Sequence, residues 1–398
     1  MRDLIFISHR IPFPPDKGEK IRGWNLINHL SRSFRVHLGC IIDDPADWQH
    51  LPAVRAVCAS AEGFGIDKRR QKLRAMLRAR PGRPLMLDYY GSPALQRWVD
   101  QTMAAVPMDV VYVYSTAMAP YVERHRQRGT VLDMQDIDSE KWATYADEAG
   151  ALMRQVWRRE GRTLLAYERR AAMAADLTLL VTEAEVRRFA ELAPESRDKV
   201  TWLEQGVDLN AFDPAQPFDN PYGAPGPHLV FTGNMDYWPN ADAVTFFARD
   251  VMPLLQGRSA QFHIVGAKPG PEVQALARQA GVHVTGRVPD VRPYVAHADV
   301  SVSPLRIARG VQNKVLEAMA LGRPTVISPG AAAGVRAKPG REVLVAGTAE
   351  EFASAVTEVL DGKHPGLGAA ARRAAVERYS WDATLARLDM LLARVAPG

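Results

Sequence analysis

"LIFISHRIPFPPDKGEKIRGWNLINHL", residues 4–30, runs from a short apolar stretch through a proline-rich loop and Lys17-Gly18 into an amphipathic helical pattern. A strand buried on both faces of a parallel sheet reads as a continuous apolar run, and a helix directly after it completes a βα unit. The same alternation continues through "RVHLGCII" (35–42), "DVVYVYS" (109–115), "TVLDMQD" (130–136) and "LTLLVT" (177–182). A Pro-, Gly- and Asn-rich segment from about Gly206 to Pro227 interrupts it. The pattern then restarts with "LVFTG" (229–233), "QFHIVG" (261–266), "VHVTG" (282–286), "ADVSVSP" (298–304), "PTVIS" (324–328) and "EVLVA" (342–346). The expectation is an α/β chain with two doubly wound sheets, in domains 1–205 and 206–375, and a closing segment 376–398. In that segment two helices meet near Ser380, whose hydroxyl is placed to cap the second. Trp381, Leu385, Leu388, Leu391 and Leu392 give that last helix an apolar face.

Composition sets the outer bounds. A chain of 398 residues, 47% of them hydrophobic, exceeds one ordinary core and suits two domains. No apolar run approaches the ~20 residues that cross a bilayer, and Met1 leads into a strand without a signal-peptide pattern. A cytoplasmic protein is expected. The two cysteines, Cys40 and Cys58, show no metal-ligand spacing and read as small buried hydrophobes. The net charge of +5 is uneven: "IDKRRQKLRAMLRARPGRP" (66–84) and "MRQVWRREGRTLLAYERRAA" (153–172) hold much of it. Basic helices with an apolar stripe can lie on an anionic membrane surface, and a solvated helix face is the other reading. Neither run interleaves aromatics as a nucleic-acid platform would, so nucleic acid is not an expected partner.

Ligands of open α/β sheets bind beyond the carboxyl ends of the strands, so the loops there hold the candidate site. After the first strand come Lys17 and Gly18, where a helix start offers unpaired N–H groups and a glycine permits close approach. "DMQDIDSEKW" (133–142) clusters Asp133, Asp136, Asp138 and Glu140, suited to binding sugar hydroxyls, acting as a base or holding a hard cation; Asp138 serves equally well as a helix cap. Asp136 is the functional candidate because it sits closest to the strand end. In the second half, Gly233 and Asn234 follow a strand, and Gly286, Arg287 and Val288 follow another. Backbone groups near Arg287 and Val288 could read the edge of a planar base, while Asp290 reads as a cap.

"ARGVQNKVLEAMALGRPTV" (308–326) places Gly310 before a helix, with the amides of Val311, Gln312 and Asn313 aimed outward toward a phosphate. Lys314 and Glu317 share one face of that helix. A surface pair between them is the bland reading. Because "VLEAMALG" is otherwise apolar, an ionised Glu317 demands a partner, and paired hydroxyls such as those of a ribose would suit it.

Taken in order, these features resemble the family-4 glycosyltransferases, over nearly the whole chain. "GVQNKVLEAMALGRPTV" looks like the end of that family's E-x7-E motif, "GRVPDVRPYVAHADVSVSP" like its base-binding loop and following strand, and "LEQGVD" (203–208) like its interdomain segment. "SHRIPFPPDKGEKIR", "DIDSEKW" and "GNMDYWPN" are most similar to sugar transferases associated with bacterial exosortase/PEP-CTERM exopolysaccharide systems. The resemblance implies a GT-B fold of two facing Rossmann-like domains, with the closing helix returning to the N-terminal one. It implies a retaining, metal-independent hexosyltransferase that uses a nucleotide diphosphate sugar as donor and no cofactor. The implied acceptor is a glycan or polyprenyl-linked saccharide at the inner membrane face. Glu317 would bind the ribose, backbone near Arg287 and Val288 the base, and Gly18 would lie near the donor phosphates. Two departures stand out. Arg309 occupies the place of the motif's first glutamate, and "GNMDYWPN" lacks the cation that many relatives direct at the diphosphate; Arg309 or Lys314 could replace it. A nucleotide-sugar 2-epimerase and a non-catalytic nucleotide-sugar-binding protein are the alternatives.

Overall fold

A computed structural model describes residues 1–125, 129–148, 150–308 and 310–396, with backbone alone at 147 and 148. The chain folds as two compact units, Met1–Glu204 with Leu385–Gly398, and Gln205–Thr384.

The first unit carries a seven-stranded parallel sheet formed by β1 (Arg2–Ser8), β2 (Phe34–Ile42), β3 (Ser60–Gly65), β4 (Val110–Tyr114), β5 (Thr130–Gln135), β6 (Leu177–Leu180) and β7 (Val200–Trp202), in the order β3-β2-β1-β4-β5-β6-β7. Leu4, Ile5, Phe6 and Ile7 are fully buried, as a strand covered by helices on both faces requires. All five apolar runs expected here form strands. β3 and β7 were not anticipated: "SAEGFG" and "VTW" lie at the two sheet edges, where less apolar surface is covered and no continuous hydrophobic run is needed.

The second unit repeats the scheme with six parallel strands, β8 (His228–Thr232), β9 (Gln261–Val265), β10 (Val282–Gly286), β11 (Val300–Ser303), β12 (Thr325–Ile327) and β13 (Leu344–Val345), ordered β10-β9-β8-β11-β12-β13. Each expected run supplies one strand. In both sheets the order reverses beside the first strand of the unit, at β1/β4 and at β8/β11, which opens a crevice at the carboxyl edge of each sheet.

Helices Leu367–Tyr379 and Trp381–Val395 meet at Ser380, whose Oγ accepts the Ala383 N–H at 3.2 Å. Tyr379 is buried in the second unit, and its carbonyl accepts the Val207 N–H at 2.7 Å. From Leu385 onward the last helix belongs to the first unit. There Arg387 donates to the Trp202 carbonyl and lies 4.2 Å over its ring, and Asp389 pairs with His29. Trp381, Leu385, Leu388, Leu391 and Leu392 are all buried.

Candidate functional site

At the carboxyl edge of the second sheet, three loops are laced together by backbone hydrogen bonds. The Gly233 N–H donates to Val265 O at 3.0 Å, Met235 N–H to Ala267 O at 2.9 Å and Gly266 N–H to Gly286 O at 3.1 Å. The approach excludes side chains: a Cβ on Gly266 would lie 1.8 Å from the Gly233 carbonyl oxygen, and one on Gly233 would lie 2.8 Å from Asn240 Nδ2. This rim is therefore bare backbone, accessible to a ligand at short range.

A cation reaches that rim from another strand. Lys314, in the helix Asn313–Ala320 that follows β11, donates from Nζ to Asn240 Oδ1 at 2.7 Å, and Asn240 Nδ2 donates to Asn234 O at 2.9 Å. The same ammonium sits 4.2 Å from the centroid of the Phe231 ring and 3.3 Å from the position of a Gly233 Cβ. The loop after β8, which carries no cation of its own beside Gly233 and Asn234, thus receives one from Lys314. Asn234 Oδ1 is buried and has no hydrogen-bond partner among the described residues.

Lys314 and Glu317 are both half-buried and form no direct ion pair, so the alternative of a surface pair gives way to the bond to Asn240. Burial pushes the Lys314 ammonium down to about 7, with Glu317 opposing. Burial likewise lifts the Glu317 carboxyl to about 7, with Lys314 opposing. Among the described residues no donor reaches the Glu317 carboxylate. At the start of their helix, Gln312 offers no side-chain cap and the first turn holds no acid. The amides of Asn313 and Lys314 have no partner within the helix, whereas the Val315 N–H donates to Gln312 O at 2.9 Å.

The remaining candidates spread along this edge. Gly310 has φ 60°, and its carbonyl packs so closely on Gly334 that a Cβ there would come within 2.0 Å. Val311 packs against the core. Arg309 lies outside the described residues. Arg287 is exposed and Val288 half-buried after β10, two strands from β8, with Gly286 at φ 68° making the turn. Asp290 accepts the Arg292 N–H at 2.9 Å from one residue ahead of the helix's N-cap, Val291, and is not itself the cap. Nothing local in the sequence assigns a role to Tyr237 and Trp238, 49% and 44% exposed after β8, or to Asn240. The signal for Asn240 was its place just after Pro239 at a helix start.

The carboxyl edge of the first sheet is different in kind. Asp133, from the acidic cluster, is fully buried: Arg22 Nη2 lies 3.0 Å from it and Tyr112 donates to it at 2.7 Å. Arg22 also donates to the carbonyls of Leu203 and Glu204. Asp136 and Asp138 flank Lys141 at 3.1 and 3.0 Å, and the desolvated ammonium between these carboxylates has its pKa raised well above the ordinary value. Glu140 pairs with Arg188. The backbone here is strained: Ser115 and Gln135, at the ends of β4 and β5, have φ of 89° and 67°. Such conformations cost of order 1–3 kcal/mol each and gather at ligand sites.

Lys17 and Gly18 stand exposed at the start of the helix Gly18–Leu30, which no side chain caps. His9, to which no sequence motif points, lies after β1 with Nδ1 3.4 Å from Tyr114 O and its ring against Tyr90 and Tyr114. Burial and the neighbouring Arg10 lower its pKa. A neutral ring that donates from Nδ1 leaves the Nε2 lone pair as an acceptor. Among the described residues no group of three or more His, Cys, Asp or Glu side chains is placed to hold a metal ion. No described helix is long and apolar enough to cross a membrane.

Residues 226–362, most of the second unit, match the family model described as "Glycosyl transferases group 1". The whole chain shares its fold with solved GT-B structures. A sucrose-phosphate synthase from Thermosynechococcus elongatus superposes with a TM-score of 0.73 at 16% identity, covering 99% of each chain. HepE from Anabaena, solved with UDP, gives 0.68 at 16% identity over 99% of this chain and 100% of its own. A glycosyltransferase from Rickettsia africae gives 0.68 at 13% identity over 99% and 98%. The fold that these similarities show is GT-B. A comparison with curated protein sequences returned no match.

Proposed function

We propose that this chain transfers a sugar from a nucleoside diphosphate sugar, bound at the carboxyl edge of the second sheet, to a hydroxyl of a glycan or polyprenyl-linked acceptor. The observation that carries the reading is Lys314. Its ammonium is delivered to the glycine rim at Gly233 and Asn234, and its own helix begins with uncapped amides. A diphosphate fits between these positive groups. The group 1 match and the UDP-bound state of HepE support a nucleotide-sugar donor.

In this reading Glu317 accepts from the ribose hydroxyls, and backbone near Arg287 and Val288 takes the base. Gly310, Val311, Gln312 and Asn313 line the phosphate end, with Arg309 beside them. In the first unit, Lys17, Gly18 and Asp136 are the candidates for contacting substrate. As the bond from the anomeric carbon to the diphosphate oxygen breaks, negative charge grows on that oxygen. Lys314 and the helix amides stabilise the charge in place, without reorganisation. Retention follows if the acceptor oxygen attacks on the same face while the departing phosphate oxygen takes its proton, a course that asks for no metal. The basic helices would hold the enzyme at an anionic cytoplasmic membrane face, in keeping with exopolysaccharide synthesis.

A thermal-shift screen of UDP, ADP, GDP and their hexose conjugates tests the donor site, because a ligand of the native state raises its melting temperature. Incubation with the stabilising conjugate and a panel of saccharide acceptors should then release the nucleoside diphosphate. Sustained epimerisation of the donor without acceptor would overturn the transferase reading in favour of a 2-epimerase.

A further inference from the structure

A cavity of about 1210 Å³ lies within the first unit, lined by Val113 of β4, Thr130 and Leu132 of β5 and the segment that joins these strands. Its wall is built from the Arg80–Pro84 turn and the later half of the helix Ala151–Ala174. That wall is held in shape. Arg159 Nη2 donates to the carbonyls of Arg80 and Arg83, and Glu160 accepts the N–H groups of Leu85 and Met86 at 2.8 and 2.9 Å.

The lining divides by chemistry. Val113, Leu132, Leu87 and Val122 give a buried apolar floor, whereas four arginines, Arg80, Arg83, Arg169 and Arg170, stand on the walls. The two wall glutamates are already engaged: Glu195 pairs with Arg169 at 2.6 Å, and Glu123 accepts from Tyr167 at 2.7 Å. Arg83 pairs with Asp88. Among the described residues Arg80 and Arg170 have no carboxylate partner; Arg170 lies 5.5 Å over the Tyr167 ring. An apolar chamber rimmed by two uncommitted guanidinium groups complements a ligand with an aliphatic body and one phosphate-like head.

The segment leading into the cavity has the same double character. The helix Lys68–Leu77 exposes Leu73, Met76 and Leu77, the last at 78%, among Lys68, Arg69, Arg70, Lys72 and Arg74, and the chain runs from it directly into the Arg80 wall. Apolar side chains left in solvent beside cations suit the interfacial zone of an anionic bilayer.

We propose that this cavity is a binding site for a single anionic amphiphile, phosphate-headed and aliphatic-tailed, with Arg80 and Arg170 on the head and the β4–β5 floor under the tail. The site stands apart from the donor site and does not depend on the sugar transfer proposed above.

The test is calorimetric titration of the full chain with dodecyl phosphate below its micelle concentration, beside inorganic phosphate and dodecyl maltoside. Saturable 1:1 binding of dodecyl phosphate is expected, at least tenfold tighter than either control. Arg80→Gln with Arg170→Gln should weaken it tenfold or more, and Ala171→Leu, which intrudes on the chamber, should do the same. Melting curves establish that both variants fold, and UDP binding serves as the readout of the separate donor site. Equal binding of dodecyl maltoside, equal binding of inorganic phosphate, or affinity unchanged in both variants would overturn the proposal. Phosphatidylglycerol vesicles distinguish the sources. Vesicle binding competed by dodecyl phosphate supports a bilayer lipid as the occupant, and dodecyl phosphate binding without vesicle binding supports a free amphiphile.

Discussion

The two carboxyl edges of this molecule share one topology and use charge in opposite ways. In the first sheet nearly every ionisable group is committed to another: Arg22 to Asp133, Lys141 to Asp136 and Asp138, Ser139 to Glu168. In the second sheet Lys314 and Glu317 lean toward neutrality beside a rim of bare glycine backbone, and neither has a counter-ion within ion-pair distance among the described residues. The first arrangement contributes to the fold. In the function proposed above, the second gains its partners when an anion and a pair of hydroxyls arrive. Ionisation in the first unit should therefore govern stability, and in the second, affinity.

The largest effect is expected where the first arrangement is broken. Asp133→Ala leaves Arg22 buried without its counter-charge and Tyr112 without its acceptor, which should cost about 3–5 kcal/mol in denaturant unfolding. Stability lost by less than about 1 kcal/mol would show that the buried pair is not a fixture of the fold.

Next is Glu168, fully buried, whose carboxyl is pushed up to about 8 by desolvation against an ordinary value of 4.5. A carboxyl raised in the folded state gives its full stabilisation below the unfolded value and loses it as pH rises through the folded one. Stability should thus decline between about pH 4.5 and 8, by roughly 4 kcal/mol from this group. Glu168→Gln keeps an acceptor for the Ser139 N–H and should flatten that decline, as melting temperatures across pH would record.

In the second unit the effects fall on binding. Lys314→Met should weaken nucleoside diphosphate affinity by about 2 kcal/mol, roughly thirtyfold, the scale of a hydrogen bond to a charged group, with no loss of folded protein. Glu317→Gln should cost about tenfold for a ribonucleoside diphosphate and almost nothing for its 2′,3′-dideoxy analogue. Equal loss for both analogues would separate Glu317 from the ribose.

How much of this was legible in the sequence follows from distance along the chain. Strands buried on both faces announced themselves as unbroken apolar runs, whereas edge strands such as "SAEGFG" did not, since an edge buries less. The donor-side loops were legible because glycine, polar turn and helix start are local features. The partner of Lys314 was not. Helical spacing pointed it at Glu317, three residues away, but the flexible side chain reaches Asn240, 74 residues earlier, through the β8/β11 reversal. The acidic cluster misled for the same reason. Four carboxylates within eight residues read as one site, yet Asp133 faces inward to Arg22, 111 residues away, while Asp136 and Asp138 stay at the edge. His9 escaped notice because its environment is set by Tyr90 and Tyr114.

The central claim is that the second edge stays electrostatically open until a diphosphate closes it. With its pKa near 7, Lys314 is partly deprotonated above neutrality, and a bound diphosphate would favour the ammonium form. Binding should take up a proton at pH 8, and affinity should fall as pH rises from 7, by up to about tenfold per unit. Calorimetric titration of the nucleoside diphosphate at pH 8, in buffers of different ionisation enthalpy, measures that proton directly. The account predicts uptake of a substantial fraction of one proton, abolished by Lys314→Met. Tight binding with no proton uptake, or uptake that persists in Lys314→Met, would contradict it.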